Sequence, residues 1–166
     1  MKRPRIVLSL IVAGIAATLS AQQQAQQKQQ QEPTSSDMEI LKEKVRADKK
    51  LLVASNMKLT DQEGKAFWPV YDSYQKDLQA LNERLLKTIH EYADAFNKGS
   101  VPDDTAKKLM NDYIKIEEDE AALKRAYVPK LETAVSPAKA ARYLQIETKI
   151  RSAFKYDLAK EIPLVQ

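Results

Sequence analysis

From Phe67 onward the chain places Phe67, Tyr71, Tyr74, Leu78, Leu81 and Leu85 at alternating intervals of four and three, and Ile89, Tyr92 and Phe96 extend the series. Steps of four and three return to one side of a helix at every turn. The series is therefore an apolar stripe on one long helix, a coiled-coil-like seam able to pair with another helix over many turns. Composition agrees. Three glycines in 166 residues, 30% charged residues and 7% aromatic ones favour long helices over strands and turns.

The seam helix starts at Thr60, whose hydroxyl can cap while Glu63, three residues on, reaches back in a capping box. It runs to about Lys98, where Gly99 is free to take the left-handed conformation that ends helices. A first helix is expected from about Asp37 to Ser55, capped by Ser36 or Asp37, with Met38, Leu41, Val45 and Leu52 on one face. A third runs from Pro102 and Asp103 to about Ala134, marked by Leu109, Tyr113, Ile116, Leu123 and Tyr127. Ser136 and Pro137 form an N-cap and first-turn pair for a fourth, which carries Tyr143, Ile146, Ile150, Phe154 and Leu158 inward until Pro163 forbids continuation. The fold class is all-α, with about four helices.

Acidic residues precede basic ones by four at Asp72–Lys76, Glu83–Lys87, Asp103–Lys107, Asp104–Lys108, Glu120–Lys124 and Glu147–Arg151. Each such pair contributes only about 0.2–0.5 kcal/mol, and together they read as solvated helix faces.

Ahead of the helices, Lys2, Arg3 and Arg5 precede an uncharged run from Ile6 to Ala21, the pattern of a secretory signal peptide over residues 1–21. The run falls short of the roughly 20 residues of a membrane span. Cleavage is expected near Ser20 or Ala21, with an uncleaved anchor as the alternative. Residues 22–36 open with glutamines and have little to bury, so they read as a disordered spacer before a single helical domain over 37–166. Loss of the three basic residues takes Lys+Arg from 27 to 24 against 23 Asp+Glu. A near-neutral mature chain gives no electrostatic reason to expect nucleic acid as partner. The absence of cysteine excludes disulfides, thiolate catalysis and a lipidated N-terminal cysteine at the signal junction.

Two prolines sit inside helical pattern, Pro69 in `FWPVYDSYQ` and Pro129 in `RAYVPKL`. Each lacks the N–H for the carbonyl four residues back, Lys65 and Arg125, at a cost of about 3 kcal/mol or a bend. Because the apolar pattern continues past both, kinks are expected in place of stops. Gly99 lies midway between them, so in an antiparallel hairpin both prolines fall at one level, roughly 45 Å from the turn at 1.5 Å per residue. Two kinks at one level would make a bent hairpin with a shallow concave side near Phe67, Trp68, Tyr71 and Tyr127. Helix ends or breaks at the prolines are the plainer alternative.

Catalytic machinery is missing from the pattern. There is no Gly-rich phosphate loop and no Ser/His/Asp arrangement, so an enzyme is not expected and no cofactor is implied. His90, the single histidine, has Glu91 beside it and Asp94 one turn on, too few ligands for a metal site. The run Glu117, Glu118, Asp119, Glu120 lies mid-helix, where side chains radiate instead of converging on calcium, and reads as a solvated face.

Three helix starts, `LTDQE` at Leu59, `VPDDT` at Val101 and `VSPAK` at Val135, share an aliphatic residue, a capping or proline position and then helix. The first resembles the LTxxQ signature of the Spy/CpxP family of periplasmic chaperones and stress adaptors, with Glu63 in place of Gln. The third is a looser match, through Val135, Ser136 and Lys139, and the second looser again. The segments `FWPVYDSYQ`, `ALKRAYVPKLE` and `RYLQIETKIR` look like an uncharacterised exported branch near that family. The resemblance implies a curved, antiparallel four-helix dimer in the periplasm that holds unfolded polypeptide on its concave face without ATP, or that inhibits an envelope stress sensor.

The expected activity is thus polypeptide binding by Phe67, Trp68, Tyr71 and Tyr127, with Arg84, Lys124, Arg125 and Lys130 around them, in a chain that dimerises through its seam. Trp68 lies off the strict spacing and is the aromatic most expected at the surface. Two competing expectations remain. One is a helical scaffold that consumes all its aromatics in its own core, and the other is a heavy-metal sensor.

Overall fold

The computed structural model describes residues 35–165, with side chains from residue 44 onward. The expected signal peptide and the glutamine-rich stretch up to residue 34 lie outside the described residues. The described residues form four helices, α1 (Ser35–Met57), α2 (Asp61–Asn97), α3 (Asp103–Ala134) and α4 (Pro137–Glu161), and no strand occurs among them. The chain is all-α.

The chain divides into two units, one ending at Asn56 and the other running from Met57. Within the first, α1 begins at Ser35, so Ser36 and Asp37 lie within the helix and not ahead of its first residue. Val45 and Leu52, expected on an inward face, are exposed.

The second unit is built from α2, α3 and α4, and its helix ends follow local chemistry. Glu63 N–H donates to Thr60 Oγ1 at 3.3 Å while Thr60 N–H donates to Glu63 Oε2 at 2.8 Å, completing the capping box. Gly99 follows α2 with φ 117°, a conformation that costs a side-chain-bearing residue energy. Ser136 Oγ accepts from Lys139 N–H at 3.4 Å, and Pro137 opens α4.

Both α2 and α3 continue through their prolines. Ser73 Oγ donates to the Pro69 carbonyl and Thr133 Oγ1 to the Pro129 carbonyl, each at 2.9 Å. A proline and a hydroxyl back-bond are two separate local causes of helix bending, and both helices carry both at one turn.

Cross-helix pairs give the register. Arg84 meets Asp119, Lys108 meets Glu91 and Tyr127 meets Asp77, so α2 and α3 are antiparallel and the two prolines lie within about a turn of one level. α4 runs antiparallel to α3 and parallel to α2, as the successive pairs Gln75–Glu147, Asn82–Arg151 and Tyr92–Pro163 show. The interior has three tiers. Aromatic rings fill the proline end, charged and amide groups the middle, and Leu85, Ile89 and Ile116 with Leu158 and Ile162 the turn end.

Two expected inward residues are at the surface, Tyr113 at 45% exposure and Phe154 at 38%. The buried line of α3 is Leu109, Ile116, Glu120, Tyr127 and Leu131, at steps of seven and four, and Tyr113 falls on its edge. On α4 the line is Ala140, Tyr143, Glu147 and Arg151, while Ile146 and Ile150 sit half-buried on the flank. This register makes a test. Ile116→Ala is expected to cost about 2–5 kcal/mol as a buried truncation, whereas Ile114→Ala, half-exposed two residues earlier, stays within about 0.5 kcal/mol. Urea midpoints compare the two, and equal losses would contradict the register.

Candidate functional site

The aromatic tier draws on all three helices of the second unit. α2 supplies Phe67, Tyr71 and Tyr74 through its four-and-three spacing, α3 supplies Tyr127 and α4 supplies Tyr143. Tyr143 stands edge-on to Phe67 at 5.1 Å between centroids and to Tyr71 and Tyr74 at 5.9 Å. Tyr74 meets Tyr127 at 5.2 Å in the same manner. Edge-to-face contacts set the positive rim of one ring against the negative face of the next, which adds to the area each ring buries.

The phenols inside this tier find polar partners. Tyr127 O–H donates to Asp77 Oδ2 at 2.6 Å, and Tyr143 Oη accepts from Gln75 Nε2 at 3.1 Å. Burial pushes the Tyr127 hydroxyl up to about 12, with the bonded Asp77 carboxylate adding to the effect. Burial, then the charge of Glu147, raises Tyr71, Tyr74 and Tyr143 further.

Phe67, Tyr71 and Tyr127, expected as contact groups for a partner, are therefore enclosed in the chain's own interior at 3% exposure or less. Tyr143 of α4 packs against Phe67 and Tyr71, a partner that spacing along α2 and α3 alone does not reveal, while Tyr127 packs against Tyr74 of α2. Trp68 differs, being half-buried with its indole against the Phe67 and Tyr71 rings and above Gly64, where an added Cβ would lie 3.6 Å from it. Lys130 Nζ sits 4.1 Å from the centre of the Tyr127 ring, a cation–π contact. Arg125 is exposed. Arg84 bonds Asp119 at 2.7 Å and Lys124 bonds Glu120 at 2.8 Å, so these two belong to the middle tier.

That middle tier is where pattern reading missed the interior. Glu120, Glu147 and Arg151, read as solvated faces, are 3%, 2% and 9% exposed. Arg151 donates through Nε to Glu120 Oε2 at 2.9 Å and through Nη1 to Asn82 Oδ1 at 2.5 Å. Glu120 also takes Lys124 on its other oxygen and Lys155 at 3.4 Å, while Lys155 reaches Glu117 at 2.8 Å. Gln75 Nε2 donates to Glu147 at 2.8 Å. Among the described residues, Arg151 Nη2 and Glu117 Oε1 are buried without a hydrogen-bond partner. The usable signal was position, because Tyr143, Glu147 and Arg151 stand four apart on one line and Glu120 lies four beyond Ile116.

A third feature joins the starts of α2 and α4. Lys139 Nζ donates to Glu63 Oε2 at 2.6 Å and to the Lys58 carbonyl at 3.2 Å, where Lys58 holds a positive φ of 48°. These are the two residues that stand at the Gln positions of `LTDQE` and `VSPAK`. The Lys139 hydrogen bond, then the Thr60 N–H, holds the Glu63 carboxyl below its usual range.

His90 is exposed, and its neighbour Glu91 is engaged by Lys108. No helix among the described residues is long and apolar enough to cross a membrane. No family model matches this chain, and no curated protein or solved structure matches it either.

The carboxylates predict acid behaviour. Burial pushes Glu120 up, yet the Lys124 hydrogen bond and the charges of Arg151, Lys124 and Lys155 outweigh it and leave the carboxyl below its ordinary 4.5. Asp119 is lowered likewise by Lys115 and then Arg84. A folded-state value below the unfolded one contributes stability that is complete above the ordinary carboxylate range and lost as pH falls through the depressed values. The melting temperature is thus expected to hold from neutrality down to about pH 5 and to fall steeply below about 4.5, with a shallower fall in Glu120→Gln. A wild-type melting temperature flat from pH 7 to 3 would contradict the assignment.

Proposed function

We propose that this chain is an exported, non-enzymatic polypeptide-binding module of the ATP-independent chaperone or envelope-stress-adaptor kind, working in the periplasm. One observation carries the reading. After the bundle has packed its aromatic tier, Met110, Tyr113 and Ile114 remain 57%, 45% and 49% exposed in one patch on α3, Tyr113 and Ile114 lying three and four residues beyond Met110, with Lys107 and Lys115 at the surface beside it. Trp68 adds a half-exposed indole at the other end of the bundle.

Such a patch buries apolar groups of a flexible chain, and the surrounding lysines keep the contact wet and reversible. The resemblance to Spy/CpxP helix starts supports the same reading, and so does the contact between Glu63 and Lys139 at the two motif positions. The partner is unfolded or flexible polypeptide, or an envelope stress sensor. Homodimerisation through the α2 seam has lost its surface, because Phe67 to Ile89 of that seam are buried within one chain. A dimer would use the α3 patch.

A second reading has its own observation. Enclosure of Phe67, Tyr71 and Tyr127 is what a helical scaffold with consumed aromatics would show.

Dilution of a chemically unfolded test protein into nucleotide-free buffer separates the two. Suppressed light scattering at near-stoichiometric amounts is expected, reduced at least several-fold in Tyr113→Ser with Ile114→Ser and further with Trp68→Ala. No suppression over a wide ratio would sink the holding function and leave the scaffold.

A further inference from the structure

Beneath α4, the α2–α3 hairpin carries a surface complementary to a particular kind of helix. Tyr143 enters the space between Phe67, Tyr71 and Tyr74, Glu147 accepts from the Gln75 amide, and Arg151 donates to Asn82 and Glu120. These three α4 residues follow one another at intervals of four, and each of them meets groups of α2 or α3, although Arg151 also lies over the Phe154 ring of α4 itself.

Of the three helices of this unit, α4 buries the fewest apolar residues. Two of its four buried residues, Glu147 and Arg151, carry charge, whereas all eight of α2 are apolar or aromatic. Buried ion pairs return little net stability after desolvation, although they discriminate strongly between partners. α2 and α3 approach closely along their lengths, while α4 stands off from α2 and is bridged to it by long side chains. Its connection to α3 is Val135 and Ser136, both already extended. α4 can therefore leave as one body about a two-residue hinge.

We propose that this face is a binding site for an amphipathic helical segment of another polypeptide that presents an aromatic, a carboxylate and an arginine at successive intervals of four, and that α4 is its resident, displaceable occupant. The proposal deepens the polypeptide-binding reading and rests on it for its biological use. It also returns Phe67 and Tyr71 to a partner and adds Tyr74, since displacement of α4 removes Tyr143 from all three. Gln75 selects the carboxylate and the Asn82–Glu120 pair selects the arginine.

Hydrogen exchange of the wild-type chain tests the displacement. The α4 amides are expected to exchange through an opening that leaves α2 and α3 protected, and exchange of all three helices only in one global step would overturn the proposal. A fluorescent peptide of residues 137–162 serves as the probe for the face, read by anisotropy against the full chain.

Lys155→Cys with Glu117→Cys, at side chains that meet at 2.8 Å, allows α4 to be tied down by a short bismaleimide. Peptide binding is expected to fall at least ten-fold in the tied chain relative to the same variant capped with a monofunctional maleimide, and to be lost in a peptide carrying Tyr143→Ala and Arg151→Ala. Equal binding to tied and capped chains, or equal binding of the substituted peptide, would overturn the proposal. Absence of scattering suppression in every form would remove the holding function and leave the peptide result to decide this face by itself.

Discussion

The Arg151 guanidinium reaches from α4 to Glu120 of α3 and Asn82 of α2, and the level of all three helices depends on it. Apolar seams tolerate sliding, because one leucine replaces another after a turn of about 5.4 Å. A guanidinium with directional partners on two helices does not. Slipping α4 by one turn would strand Arg151 and Glu147 in the interior without their partners, and an unpaired buried charge costs several kcal/mol. The aromatic tier on one side and the aliphatic tier on the other are then held in register by this layer together with the Tyr127–Asp77 and Tyr92–Pro163 bonds.

Much of the fold was legible because it is written in local chemistry. Thr60 with Glu63, Gly99, and Ser136 with Pro137 each set a helix boundary through groups within three residues of one another. The seam from Phe67 to Ile89 was legible for a similar reason, since a buried helix face needs only the right period. Continuation through Pro69 and Pro129 followed from apolar positions on both sides of each.

The interior of the bundle was less legible because residue type misled there. Glu120, Glu147 and Arg151 carry the signature of a solvated face, and their burial is matched by partners on other helices, with Lys124 four residues on adding to Glu120. The same limit governs the candidate site. Phe67 and Tyr71 are enclosed with Tyr143, and Tyr127 packs against Tyr74, places that are set by helix packing and not by spacing. Tyr113 and Phe154 erred the other way, as apolar residues at the edge of a face whose centre is charged.

A double-mutant cycle on Glu120→Gln and Arg151→Met, with urea unfolding of wild type, both single variants and the pair, measures the central layer most directly. If this layer sets the register of the three helices, the two losses are strongly non-additive, with a coupling of about 1–3 kcal/mol. Additive losses, with a coupling below about 0.3 kcal/mol, would mean that the aromatic and aliphatic tiers hold the bundle without it.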